Sequence, residues 1–452
     1  MKLNICLILA LLVSLKALRE YSTFHTIKLK DAESTVDNID LIEEPIFGVS
    51  YKKGAVHISE EGTFIISGEL NGKLNVATGD KVVKLVLNGV KINSDVNAIV
   101  FEDGYELIDT EIDKDPYVIR KYDFNNAGAQ IILADDSVNY LSGTEDGKKN
   151  GAVFSNITLH ITGEKKGNGK LYVNSGKEGI EVYKHLCISG GYVNIAADDD
   201  GINSKTDRDS VIYIKGGKVL VNSGLGAEGD GIDGNGYVVV DGGEVISAAQ
   251  PMADSGLDSN FGTFVNGGIV YAVGTSMDLA EENSEQPTMN LIFEEGVEAT
   301  SCISIKEKDS NTEIIRYNAT DEEFINGTSR RNYLAAIVYH PLFKAGNVYH
   351  VYLDGELCGY TGNEKIGPGP GPGPGPGPGP DPGPGPGPGP DPPGPPPGSN
   401  QLKESEDKEV KIDFILGSGA TIYSGIQKYN MELYLKISKS LFILLALMLL
   451  NN

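Results

Sequence analysis

One pattern occurs five times between Gly169 and Ala280: an acidic turn, a short apolar strand, a Gly-Gly step and another short apolar strand. The second strands open at Gly169-Lys-Leu-Tyr-Val, Gly191-Tyr-Val-Asn-Ile, Gly217-Lys-Val-Leu-Val, Gly243-Glu-Val-Ile-Ser and Gly268-Ile-Val-Tyr-Ala, with spacings of 22, 26, 26 and 25 residues. A near-constant period of this length means stacked supersecondary units, none of which can bury its apolar face alone. Apolar residues alternate at a period of two within each unit, so the units are built of strands and not helices.

The repeats align in columns. Leu171, Val193, Val219, Val245 and Val270 fall at one position, and Val173, Ile195, Val221, Ser247 and Ala272 two residues later. Leu186, Ile212, Val238 and Thr263 form a third column, followed by Ile188, Ile214, Val240 and Val265. Residues two apart on a strand share a face, so these columns should point inward and stack. A further short strand begins at Ile180, Ile202, Ile232 and Leu257, each just after a glycine that follows Glu178, Asp200, Asp230 or Ser255. The pattern predicts an all-β chain, a right-handed parallel β-helix of 22–26 residues per coil over residues 56–298, closed by a C-terminal cap at 299–362.

The ends of the chain read differently. Residues 1–17 carry Lys2, the apolar run Ile5–Val13 and small residues, as a secretory signal does. Residues 18–55 read as a polar, mobile leader, and 103–127 as a charged loop thrown out from one coil. Residues 367–398 are almost pure Gly-Pro, a composition that builds no core and acts as an extended spacer. Residues 399–440 continue the spacer, and 441–452 form an apolar tail too short to cross a bilayer unaided. Tail, polar spacer and Ser424-Gly425 match a lipid (GPI) attachment signal, with a retained membrane tail or plain secretion as alternatives. The expected location is the extracellular face of the cell surface, as a monomer. Sequons at Asn156, Asn318 and Asn326 fit a secretory route. Cys302 and Cys358 are the candidate disulfide, with Cys187 left alone.

With 63 acidic against 38 basic residues, the net charge is −25, which argues against nucleic acid or anionic membrane as direct partners. Three turns concentrate the acids: Asp198-Asp-Asp-Gly-Ile-Asn203, Glu228-Gly-Asp-Gly-Ile-Asp233 and Asp254-Ser-Gly-Leu-Asp258. Strands stacked about 4.8 Å apart would set these carboxylates above one another, where like charges repel unless neutralised. Ca²⁺ takes six to eight hard oxygen ligands, including carbonyls of glycine-rich turns. Asp200, Asp230, Asp233 and Asp258 are the first candidate ligands, with Asp198, Asp199 and Asp254 second; the bland alternative is that the acids simply solvate their turns.

The series Asp200-Gly-Ile, Asp230-Gly-Ile-Asp, Ser255-Gly-Leu-Asp with its Gly-Gly-(x)-Val strands resembles the carbohydrate-binding β-helix family typified by a clostridial cell-surface protein. The resemblance runs from Thr63 to about Leu353 and implies a right-handed parallel β-helix, bound calcium, and binding of cellulose and acidic plant polysaccharides such as polygalacturonate. The chain departs from it in the 103–127 insertion and in Ser255, where an acid is expected.

Three functions compete at this stage. The favoured one is a non-catalytic, surface-attached binder of plant cell-wall glycans, with Tyr172, Tyr192, Tyr213 and Tyr271 on outward strand positions as sugar-stacking candidates. The second is a calcium-dependent, pectate-lyase-like enzyme with a base among Lys205, Arg208 and Lys215, although no catalytic residue is assigned. The third is a structural stalk or adhesin.

Overall fold

A computed structural model describes residues 24–108, 115–145, 147, 149–250, 253–318, 332–364 and 409–429. The signal segment, the whole Gly-Pro run, the apolar tail and Asn326 lie outside the described residues. Within them the chain is all-β, apart from two short 3-10 turns at Pro116–Lys121 and Phe124–Asn126. The strands form one sheet of 24 and a second of nine.

The predicted columns pair in register. Leu171 faces Val193, then Val219, Val245 and Val270 along successive parallel strands, and Val173 faces Ile195, Val221, Ser247 and Ala272. Ile180, Ile202, Ile232 and Leu257 follow one another through the nine-stranded sheet, all fully buried. Period-two alternation thus placed these residues correctly, because each column is a line of side chains on one sheet face.

The global arrangement differs from the expectation. Among the described residues no right-handed solenoid is seen; the parallel strands close on themselves in a ring of six. Val83–Asn93 pairs with Ala129–Leu133, which continues through Leu159–Gly163, His185–Ala197, Lys170–Ser175 and Val138–Gly143 back to Val83–Asn93. Further strands extend this barrel. The reason is local: the Gly-Gly step was read as a break between two strands, whereas His185–Ala197 and Val211–Asn222 run through it. Gly191 and Gly217 have φ of +82° and +85°, the left-handed region glycine enters without a Cβ penalty, so the strand bends while its pairing continues.

The flanking segments also differ. The predicted leader supplies Phe24–Lys30, which pairs in parallel with Gly62–Asn71 over seven positions. The described residues of the 103–127 insertion lie back on the outer sheet face: Ile108, Ile119 and Phe124 build a second apolar cluster with Cys187, Val211, Tyr213, Tyr237, Val239 and Phe264. Arg120 fastens it, donating to both Asp241 carboxylate oxygens at 2.6 Å and to Glu285 at 2.8 and 3.1 Å.

At the C-terminal end the sheet is mixed. Thr288–Val297 runs antiparallel to Tyr333–Tyr339 and parallel to Ala420–Lys428, a strand that follows the Gly-Pro run in sequence. Phe414, Leu416, Tyr423 and Ile426 are buried there. Cys302 and Cys358 are free thiols. Cys302 opens Cys302–Glu307 and Cys358 lies in Glu356–Gly359, and Val348–Leu353 pairs with both strands between them, so no bridge forms.

Candidate functional site

The acidic turns do converge, as a ladder along the nine-stranded sheet. Glu178, Asp200, Asp230 and Ser255 each precede a glycine, and the turns hydrogen-bond in series: Gly179 N–H to Asp200 O at 2.9 Å, Gly201 to Asp230 at 3.0 Å, Gly231 to Ser255 at 2.9 Å. The glycines are obligatory at this spacing: a Cβ on Gly201 would lie 2.0 Å from Val221 Cγ1 and 2.6 Å from Gly231 O. Carboxylates brace the next rung. Asp200 Oδ1 accepts from Asp230 N at 2.8 Å, Asp230 Oδ1 from Ser255 N at 2.5 Å, and Asp254 Oδ2 from Gly229 N at 2.9 Å. Ser255 thus fills the acid's place in the series as a backbone donor to the preceding rung.

Beside this line runs a second, set by strand register: Glu181, Asn203, Asp233 and Asp258 face one another in turn. Asn203 ties the lines together, donating to Asp200 Oδ2 at 2.8 Å and Asp233 Oδ2 at 3.1 Å. Burial dominates the electrostatics. It pushes Asp200 up to about 7, Asp230 up to about 8 with help from the Asp258 charge, and Asp233 up to about 9 with help from Asp200 and Asp258. Asp278, which abuts Asp258, is raised for the same reasons, and Glu178 and Glu181 are raised by burial. Glu178 is 5 % exposed and its Oε2 has no hydrogen-bond partner. Asp199 is neutralised by Lys177.

Among the described residues no three acidic, thiol or imidazole side chains gather tightly enough to cage an ion. The ladder is a row of rungs and not a preformed cage. Its donor chemistry nevertheless fits a hard cation: oxygen ligands only, half-buried, with Asp200, Asp230 and Asp233 raised first by desolvation and then by neighbouring carboxylates. Glu178, Glu181, Asn203 and Asp278 belong to the ladder but are not among the candidate ligands read from the sequence. Glu178 was legible from its place before the column glycine; Asp278 was not, since it follows the last aligned strand, Ile269–Gly274.

The tyrosines divide. Tyr213 and Tyr271 are each only 3 % exposed. Tyr213 lies beneath the insertion and donates its hydroxyl hydrogen to Asp241 at 2.8 Å, while Tyr271 stacks on Tyr317 with centroids 3.5 Å apart. Neither can meet a sugar. Tyr172 and Tyr192 are half-buried on the outer face and are joined by Tyr140, 47 % exposed. Tyr140 and Tyr172 stack at 5.1 Å and 15°, Tyr172 and Tyr192 lie 5.7 Å apart, and Lys170 Nζ sits 5.4 Å from the Tyr192 centroid. Tyr140 was missed because its strand precedes the first Gly-aligned repeat.

The lyase candidates are otherwise engaged or isolated. Lys205 Nζ donates to the buried Glu181 at 2.8 Å, and Arg208 lies over the Phe261 ring at 5.1 Å. Lys215 is exposed on its strand. Of the sequons, the Asn156 amide donates to Glu102 O at 2.7 Å, and Asn318 ends the strand Glu313–Asn318.

Residues 121–327, which contain the ladder and the tyrosine stack, match the family model described as a carbohydrate-binding domain-containing protein. Among solved structures, the chain is similar to a polysaccharide lyase-like protein from C. thermocellum, determined as a gadolinium derivative. The two are 22 % identical, with a TM-score of 0.38, over 54 % of this chain and 93 % of that one. No curated protein matches the chain.

Proposed function

We propose that this protein is a non-catalytic carbohydrate-binding protein whose outer-face tyrosine stack supplies the sugar contact. The observation that carries the reading is the Tyr140–Tyr172 stack, with Tyr192 tilted against it, within the span matched by the carbohydrate-binding family model. Aromatic faces and edges give an apolar sugar surface a partner, while Asn194 Nδ2 donates to the Tyr192 hydroxyl at 3.0 Å and holds that ring in place. The ladder has a separate role in this reading: Asp200, Asp230, Asp233 and Asp258 would hold Ca²⁺, which offsets their mutual repulsion and fixes the sheet edge. The proposed ligand is a plant cell-wall glycan, acidic pectin-type or cellulose, met outside the cell by a secreted, surface-attached monomer.

The test is retention of the full chain on polygalacturonate and on cellulose, each with calcium and with chelator. Saturable binding without unsaturated product supports the reading, and calcium dependence assigns the ladder its part. Release of unsaturated product would make the protein a lyase. Absence of binding to both, and to a wider glycan panel, would leave a structural role.

A further inference from the structure

The C-terminal strand pairing contains a defect that builds a cavity, far in sequence from the tyrosine stack. Thr288–Val297 keeps register with Tyr333–Tyr339 up to Ile292 opposite Ala335, then slips so that Val297 faces Tyr333. Five steps along one strand thus match two along the other. On the opposite edge, Leu291 facing Tyr423 is followed by Phe293 facing Ile426, a second slip at the same place. Such irregularities bend a strand and re-aim its side chains, and they recur beside binding sites.

The space they open is about 560 Å³, within the range of small-ligand sites (about 300–1,000 Å³). Its floor is apolar: Phe293, Val297, Cys358 and Ile426 are all buried. Its rim is acidic, with Glu294, Glu295 and Glu298 exposed and Asp354 beside them. Lys428 also lines it, but Asp354 and Glu356 hold its ammonium at 3.6 and 3.0 Å. We propose that this cavity binds a small cationic amphiphile, an amine or guanidinium on an apolar stem, with the stem on Phe293, Val297 and Ile426 and the head among the three glutamates. A bare metal ion would leave the apolar floor unused, and an anion would be repelled by the rim.

The proposal is independent of the glycan reading and is tested on the full chain by titration calorimetry with 4-phenylbutylamine. Saturable binding is expected, at least tenfold weaker for 4-phenylbutanol and absent for 4-phenylbutanoate. Glu295→Gln with Glu298→Gln should weaken the amine about tenfold, whereas Glu61→Gln with Asp80→Gln, elsewhere on the chain, should not. The glutamates are exposed, so these variants should fold; Val297→Phe, which fills the floor, is a second probe. Absence of saturable heat, equal binding of the carboxylate, or equal loss in the distant pair would overturn it. Retention on glycan should be unchanged by Glu295→Gln with Glu298→Gln, so the two readings fail separately.

Discussion

A tyrosine on an outer sheet face acquires meaning from what lies over it. Tyr192 and Tyr213 both project outward from neighbouring strands, yet only Tyr192 reaches solvent, because the insertion buries Tyr213. Tyr172→Ala should therefore weaken glycan retention about tenfold, the scale of one aromatic contact, with little change in thermal stability. Tyr213→Ala should do the reverse, lowering the melting temperature and sparing retention except through unfolding. The ladder carboxylates give a second residue-scale expectation. Asp200, Asp230 and Asp233 have folded pKa values of about 7, 8 and 9, above the unfolded value of 3.8. Between these limits the folded state holds protons that the unfolded chain has released, so stability falls as pH rises. In chelator the melting temperature should drop from pH 5 to pH 8, and calcium should raise it more at pH 8 than at pH 5. A rise from pH 5 to pH 8 in chelator would contradict the ladder's burial.

At the scale of elements, much was legible where an element's neighbours are one repeat away. The columns from Leu171 to Val270 and from Ile180 to Leu257 follow from alternation and period alone, since parallel pairing carries each residue onto its equivalent. The acidic ladder was legible for the same reason. The Gly-Gly step misled because a glycine at positive φ marks a bend and a break equally well, and only hydrogen bonding separates the two. The insertion misled for a different reason. Its charged residues suggested a solvated loop, but Arg120 is matched by Asp241 and Glu285, acids distant in sequence, and its apolar residues find a sheet face. Arg120→Ala should destabilise the fold by about 2 kcal/mol, because it leaves the largely buried Asp241 without its bidentate partner. Hydrogen exchange should then rise in the insertion and at Tyr213 before it rises in the columns.

At the scale of the molecule, the Gly-Pro run connects two parts of one body. The chain leaves it after Gly362–Glu364 and returns by residue 409, and both ends are fixed on the same sheet: Tyr360 and Lys411 exchange backbone hydrogen bonds of 2.7 and 2.8 Å. Tyr360, Phe414 and Tyr423 then form an aromatic cluster with centroids 4.7–5.0 Å apart. A spacer leading to an independent tail would have no energetic link to the fold, whereas a connector closing on the fold has an entropic one. Deleting residues 368–398 shortens the connector about threefold and should stabilise the protein by about 1 kcal/mol, through the logarithmic dependence of closure entropy on length. Cleavage at Lys365 or Lys403 should leave two fragments that co-elute on gel filtration and separate only in denaturant. Truncation after Glu364 should be far more damaging, since it removes the buried Phe414, Tyr423 and Ile426 and leaves Thr288–Val297 without its parallel neighbour. Equal stability of the deletion and truncation variants would show that the returning strand adds nothing to the fold. A gap of several kcal/mol between them would show that the returning strand Ala420–Lys428 is an integral part of the fold.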